Sequence, residues 1–331
     1  GSVDCFLQAL GGERITIKTA NPFFEEVESS YGLIEEGRTA IIEMAASAGL
    51  PMIEDRKDPL MATTYGVGKM ILHAAERGVK KIIVGLGGSA TNDGGCGAAA
   101  AVGVRFTDAT GKEFVPAGGT LCNIKNIDIV ARSTLLDGVE IVSMCDIDNP
   151  MYGPTGASYV FGPQKGADEK MVEELDAGMK NLAHVIQTDL GQKLDDVPGT
   201  GAAGAMGAGM MAFFSSRLQM GIETVLETVH FNKLVQDADM VFTGEGKIDG
   251  QSLRGKVVIG VARAAKKENV PVTAIVGDIG DDIEGAYKEG VSAIFSINRV
   301  AVTFKDARPR AQSDLSLTMD NLMRFYKTMG L

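Results

Sequence analysis

Short apolar runs of strand length alternate with segments of helical periodicity along most of this chain, and that alternation admits few architectures. Lys81 to Leu86 (KIIVGL), Val139 to Cys145 and Val272 to Val276 read as buried strands, and Arg14 to Lys18, Tyr31 to Glu35 and Thr39 to Glu43 as further strands. Between them, Gly66 to Arg77 carries Val67, Met70, Ile71, Ala74 and Ala75 at the spacing of one helix face. Ala167 to Leu190 reads as a long amphipathic helix with Met171, Leu175, Met179, Leu182, Val185 and Ile186 on one side. From Asp239 the pattern becomes regular: strands at 240–243, 272–276 and 292–297 are joined by helices at 257–269 and 282–289, and a last helix covers 315–329. Apolar strands joined by helices predict an α/β fold with parallel sheet and right-handed crossovers. A length of 331 residues allows one large or two ordinary domains, and the shift in pattern puts a boundary near 230.

The net charge of −11 argues against nucleic acid or an anionic membrane as partner. It leaves room for an anionic metabolite, because backbone amides and a few cations can reverse the field inside a cleft. No run of 18 apolar residues is present, so no membrane span is expected. Cys5, Cys96, Cys122 and Cys145 form no CxxC pair, and they read as reduced, mostly buried thiols of a cytoplasmic protein. The start of the chain shows no signal-peptide pattern.

Chemistry concentrates in glycine-rich loops. Gly85 to Gly97 (GLGGSATNDGGCG) follows a buried strand and holds six glycines in thirteen residues, more than one tight turn needs. Bare amides before a helix near Gly95 form an anion site, so Gly87, Gly88, Ser89, Thr91, Asn92 and Asp93 are candidate ligand contacts. At the end of strand 139–145, Asp146 and Asn149 in CDIDNP sit where open α/β sheets place ligand groups. Aspartate with asparagine suits Mg²⁺, which takes oxygen ligands; the plainer reading is an Asx turn closed by Pro150. In FGPQKGA, Lys165 stands among small residues before the long helix, where it either meets an anion or is simply solvated.

Two further loops resemble nucleotide motifs without completing them. Gly199, Gly201 and Gly204 spell GxGxxG, but the preceding KLDDV is no buried strand, so the match for a dinucleotide is weak. A helix start at close backbone approach, followed by a Met-rich core helix through Met206, Met210 and Met211, fits better. Gly250 to Lys256 fits GxxxxGK, yet Val257 stands where a P-loop needs Ser or Thr. The stretch from Thr243 to Lys256 (TGEGKIDGQSLRGK) still follows a strand and precedes a helix. It offers Gly244, Glu245, Gly246, Asp249, Gln251, Arg254 and Lys256 as candidate ligand groups, with Glu245 as a further metal candidate. His73, His184 and His230 lie outside these loops and read as structural; no Ser-His-Asp or Cys-His pairing is suggested, so acyl-transfer chemistry is not expected.

Taken together, TTYGVGKMI at 63–71, GGSATNDGG at 87–95, CDIDNP at 145–150, GASYVFGPQKGA at 156–167, PGTGAAGAMGAG at 198–209 and TGEGKIDGQSLRGK at 243–256 resemble the glycerate kinases of glucarate and galactarate catabolism, in family order. Members of that family open with a strand, a PDSFKGS-like loop and an ADGGEG-T stretch. Gly1-Ser2-Val3-Asp4 resembles the tail of that last stretch, so the resemblance implies that the first part of the N-terminal domain is absent here. It implies a Rossmann-like domain built from residues 1–36 and 231–331, a middle α/β domain over 37–230, and a site between them. It also implies ATP- and Mg²⁺-dependent phosphorylation of D-glycerate, with 2-phosphoglycerate the expected product of this branch. Phosphoryl transfer needs positioning and charge neutralisation more than covalent chemistry. On that basis Asp146 or Asp249 is expected as base, and Lys165, Arg254 and Lys256 as partners of carboxylate or phosphate. Two other readings stay open on the residues: a nicotinamide-dependent hydroxy-acid dehydrogenase resting on the GxGxxG match, and a non-catalytic sugar-acid-binding protein. Partners are expected to be small molecules, and homo-oligomerisation is left open.

Overall fold

The computed structural model describes residues 1–250 and 252–330, which divide into two compact units, Gly1–Gly221 and Ile222–Leu331. Each unit has its own apolar core.

The first unit is built on a six-stranded mixed sheet. Its strands are β1 (Glu13–Ala20), β2 (Glu26–Ile34), β3 (Thr39–Glu43), β4 (Lys81–Gly85), β8 (Glu140–Met144) and β9 (Arg217–Gln219), adjacent in that order. The first two pairings are antiparallel and the last three parallel. Hydropathy explains the arrangement. Central strands β3 and β4 are apolar without alternation and are buried along nearly their whole length. Edge strand β1 carries Glu13, Arg14 and Lys18 outward, charges that discourage further pairing. A small antiparallel sheet of β5 (Arg105–Thr107), β6 (Glu113–Phe114) and β7 (Asn126–Asp128) lies in the same unit.

Helix Tyr65–Glu76 buries Val67, Met70, Ile71, Ala74 and Ala75, the face expected from spacing. Helix Glu169–Leu190 is capped at its start by Asp168, which accepts from the Met171 N–H at 2.8 Å, and ends at Gly191 in the left-handed region. It buries Leu175, Met179, Leu182, Val185 and Ile186, whereas Met171 lies half-buried at the rim. Each fully buried leucine or isoleucine contributes about 2 kcal/mol of transfer free energy.

The second unit has a parallel sheet of β10 (Val241–Thr243), β12 (Val272–Val276) and β14 (Val291–Ser296), in that order, and a short parallel pair of β11 (Lys247–Ile248) with β13 (Asp278–Ile279). Helix Val257–Lys267 packs Val258, Ile259, Ala262 and Ala265 into the core that β12 also feeds. Asp314 is buried and accepts from the guanidinium groups of Arg299 (2.9 and 3.1 Å) and Arg310 (3.4 Å). The regular strand–helix succession expected beyond 239 is present. The division implied by the resemblance differs from the one seen here: β1 and β2, which it groups with the C-terminal domain, pair into the first unit's sheet, and the units part at 221/222. The reason is physical, since β2 hydrogen-bonds to β3 and buries Tyr31 and Leu33 in that core. No helix among the described residues is long and apolar enough to cross a membrane.

Candidate active site

β4 and β8 are parallel neighbours, with Gly85 opposite Met144. Their C-terminal ends therefore release two glycine- and aspartate-bearing loops side by side, at 86–95 and 145–150. A third segment braces the first of these: the Leu50 N–H donates to the Gly88 carbonyl and the Ala90 N–H to the Ala48 carbonyl, both at 2.9 Å. The fourth component is the 3₁₀ turn Pro163–Lys165, started by proline and closed by Gly166 at φ 99°.

These pieces enclose a cavity of about 440 Å³, within the range of small-molecule sites. Gly87, Gly88, Ser89, Asp146, Gln164 and Lys165 form its polar wall. Leu50, Leu86, Met144, Ile147 and Phe161 supply apolar surface.

Lys165 dominates the chemistry. Its side chain is 1% exposed, and Nζ donates to Ser89 Oγ at 2.9 Å and to the Thr91 carbonyl at 2.6 Å. Burial drives its pKa down from 10.5 to about 7, while the negative charge of Asp93 acts in the opposite direction. The burial of Lys165 excludes the solvated reading.

Asp93 is fully buried. Its Oδ2 accepts from the Thr64 N–H at 2.7 Å, Thr64 Oγ1 at 2.8 Å and the Gly97 N–H at 3.2 Å, and Oδ1 accepts from the Gly95 N–H at 3.1 Å. Desolvation raises its pKa, and these donors pull it back. Asp93 therefore shapes the loop and does not line the cavity. Its neighbours are also buried. Thr91 and Asn92 are fully buried and absent from the cavity wall; Asn92 Nδ2 donates to Ser158 Oγ at 3.1 Å, and Thr91 serves Lys165 through its carbonyl.

Asp146 faces the cavity, and its Oδ1 accepts from the Gly221 N–H at 2.7 Å. Asn149, paired with it from the sequence, does not line the cavity. Its amide donates to the Thr155 carbonyl at 2.8 Å, and its own carbonyl accepts from the Gly201 N–H at 3.0 Å, which is the turn-forming role. Among the described residues no cluster of three or more His, Cys, Asp or Glu side chains has metal-site geometry.

The GxGxxG glycines serve packing. Helix Ala202–Phe214 begins with Ala203, Gly204 and Ala205 all in the left-handed region, at φ 57°, 67° and 62°. A Cβ on Gly204 would overlap the Thr91 carbonyl oxygen, so the backbone there presses directly on the loop that holds Lys165. Ala202 and Ala203 reach the cavity wall, and Met206 and Met210 are buried as expected, with Met211 half-buried. No strand leads into this motif, which removes the support for a dinucleotide there.

In the second unit, Gly244 to Gly246 lead from β10 into β11, and the Glu245 carbonyl accepts from the Gly277 N–H at 3.1 Å. Glu245 Oε1 is buried and has no hydrogen-bond partner among the described residues. Asp249 Oδ2 lies 3.9 Å from Lys247 Nζ. Arg254 ends the 3₁₀ turn Ser252–Arg254, and Lys256, exposed, is the N-cap of helix Val257–Lys267. Gln251 lies outside the described residues.

The structure also brings in residues without an obvious chemical signature. Gln164 and Phe161 line the cavity, and Thr63 and Thr64 position Asp93. Adjacency to Lys165 was the only sequence cue for Gln164. The histidines are as expected for His73, whose Nδ1 lies 2.9 Å from the Tyr31 hydroxyl. Of the thiols, Cys96 and Cys145 are buried but Cys5 and Cys122 are exposed, so burial is less general than expected.

Comparison with known proteins bears on the same segments. The chain matches the glycerate kinase family over residues 1–327. It is 42% identical to a glycerate kinase of Bacillus cereus over 328 residues, covering 99% of this chain and 86% of the relative. It is 42% identical to a glycerate 2-kinase of Escherichia coli over 323 residues, covering 97% and 85%. A solved Salmonella typhimurium LT2 structure assigned as glycerate kinase 2 superposes with a TM-score of 0.87 at 40% identity, covering 99% of this chain and 86% of that one.

Proposed function

The chain belongs to the glycerate kinase family, a kinase family with an alcohol acceptor, and from that premise we propose that it transfers the γ-phosphoryl group of ATP to D-glycerate, giving 2-phosphoglycerate. The observation that carries the reading is Lys165 Nζ, buried at the wall of the cavity and held against Ser89 and the Thr91 carbonyl. An anion entering this cavity restores the proton to Lys165, because a nearby negative charge favours the ammonium form. The resulting ion pair in a desolvated setting neutralises charge where phosphoryl transfer most needs it. Gly87 and Gly88 let backbone approach the same ligand closely.

Mg²⁺ fits the donors available. Asp146 presents a carboxylate on the cavity wall oriented by the Gly221 N–H, and Mg²⁺ in kinases takes one or two carboxylates together with phosphate oxygens rather than a full protein cage. Glu245, whose buried Oε1 has no hydrogen-bond partner among the described residues, is a further metal candidate that we propose. When bound, the ion would neutralise developing charge on the phosphates. We propose the second-unit loop, through Gly244, Gly246, Arg254 and Lys256, as a nucleotide-binding segment, and Asp146 or Asp249 as acceptor of the hydroxyl proton. The test is ATP consumption coupled to D-glycerate, with the product identified by phosphorus NMR. A 3-phosphate product would overturn the regiochemistry, and no D-glycerate-dependent turnover would overturn the reading.

A further inference from the structure

Serine and lysine meet in this cavity in the geometry of a nucleophile and its base. Lys165 Nζ lies 2.9 Å from Ser89 Oγ, and the Thr91 carbonyl, 2.6 Å away on Nζ, fixes the amine's orientation. A nucleophile within hydrogen-bond reach of a base that is itself oriented by a third group is the general signature of an activated side chain. No carboxylate of the described residues forms an ion pair with Lys165. Both side chains line the cavity, Ser89 at 7% exposure and Lys165 at 1%, so reagents reach them only through it. We propose that Ser89 and Lys165 form a nucleophilic dyad that hydrolyses small activated carboxylic esters, an activity separate from phosphoryl transfer.

The inference rests on the cavity's geometry and not on the kinase reading. In the neutral amine, Nζ donates to the Thr91 carbonyl and accepts the Ser89 hydroxyl proton. Ser89 Oγ attacks the ester carbonyl carbon as its proton passes to Nζ. The tetrahedral intermediate collapses with cleavage of the ester C–O bond. The leaving alcohol takes that proton, and an acyl-Ser89 remains. Water then attacks the acyl carbon, Lys165 accepts its proton and returns it to Ser89 Oγ as the acid leaves. Ester and water become acid and alcohol, and no other reactant is needed. Gly87 and Gly88 line the same wall, and in the proposed reaction their backbone N–H groups are the donors assigned to the oxyanion.

The depressed pKa of Lys165, about 7, supports this role, since an ordinary lysine is almost wholly protonated at neutral pH. The ionisable groups around it are Asp93 behind the loop, Asp146 and Cys145 on the cavity wall, and Lys57, which lies beside Gly166 of the same turn. Of these, Asp93 opposes deprotonation through its charge.

The experiment treats the full chain with phenylmethylsulfonyl fluoride and maps the adduct by mass spectrometry, alongside p-nitrophenyl acetate hydrolysis across pH 5 to 10. The expected adduct is on Ser89, with an esterase rate that rises through about pH 7 and then levels off. Ser89→Ala and Lys165→Met should each lose about 100-fold in rate. Lys165→Arg should not restore it, because a guanidinium cannot act as a base. Adduct elsewhere, or a rate proportional to hydroxide and unchanged in Ser89→Ala, overturns the proposal. The wild-type adduct decides the matter if a variant fails to fold.

Discussion

Asp93 Oδ2 receives both the backbone N–H and the hydroxyl of Thr64, at 2.7 and 2.8 Å, and so ties the glycine-rich loop after β4 to the start of helix Tyr65–Glu76. The Thr64 hydroxyl in turn accepts from the Ala98 N–H at 2.9 Å. A carboxylate that reads from the sequence as a ligand contact is thus the internal fastener of the loop.

Asp93→Ala should destabilise the protein by about 3 kcal/mol, because several buried donors lose their only charged acceptor. Urea unfolding should show a lower midpoint at nearly unchanged slope. A loss below about 1 kcal/mol would show that the loop repacks without this carboxylate.

Lys165 makes stability depend on pH in a defined direction. Its folded pKa is near 7 and its unfolded reference is 10.5. Between these values the unfolded chain holds the proton and the folded chain does not, so stability rises with pH across that window. The limiting slope is about 1.4 kcal/mol per pH unit. Lys165→Met should lack this contribution. The variant's advantage over wild type should be greatest below pH 7 and should shrink as pH rises. Parallel curves for the two proteins would contradict the burial argument.

Gly204→Ala should cost about 3 kcal/mol, combining left-handed backbone strain with overlap onto the Thr91 carbonyl oxygen. Because that carbonyl orients Lys165, the KM for the anionic substrate should rise as well. Gly246→Ala, whose added methyl meets nothing within 4 Å, should leave the melting temperature nearly unchanged. Equal effects at the two positions would rule out close packing as the cause.

Asp146→Asn keeps an oxygen for the Gly221 N–H but removes the charge from the cavity wall. The expected outcome is a kcat reduced about 100-fold with little change in melting temperature. Wild-type kcat in the variant would remove Asp146 from the reaction.

Much of the architecture was legible because periodicity reports burial directly. The face of helix Tyr65–Glu76 and the apolar strands β4, β8 and β12 followed from spacing alone. Glycine density located the loop after β4, and the isolated Lys165 marked the turn before the long helix. The resemblance groups residues 1–36 with the C-terminal domain, whereas β1 and β2 pair toward β3; an amphipathic hairpin carries no label for the sheet that it joins.

What the chain's own pattern determined is the α/β class, the order of its elements and which loops carry reactive groups, since local hydropathy and backbone freedom are written residue by residue. Only the tertiary structure decided that Asp93, Thr91 and Asn92 turn inward while Ser89, Asp146 and Lys165 face one cavity. That choice depends on contacts between loops far apart in sequence, such as Lys165 with Ser89 and Gly204 with Thr91, and on the loss of water that moves the lysine's pKa.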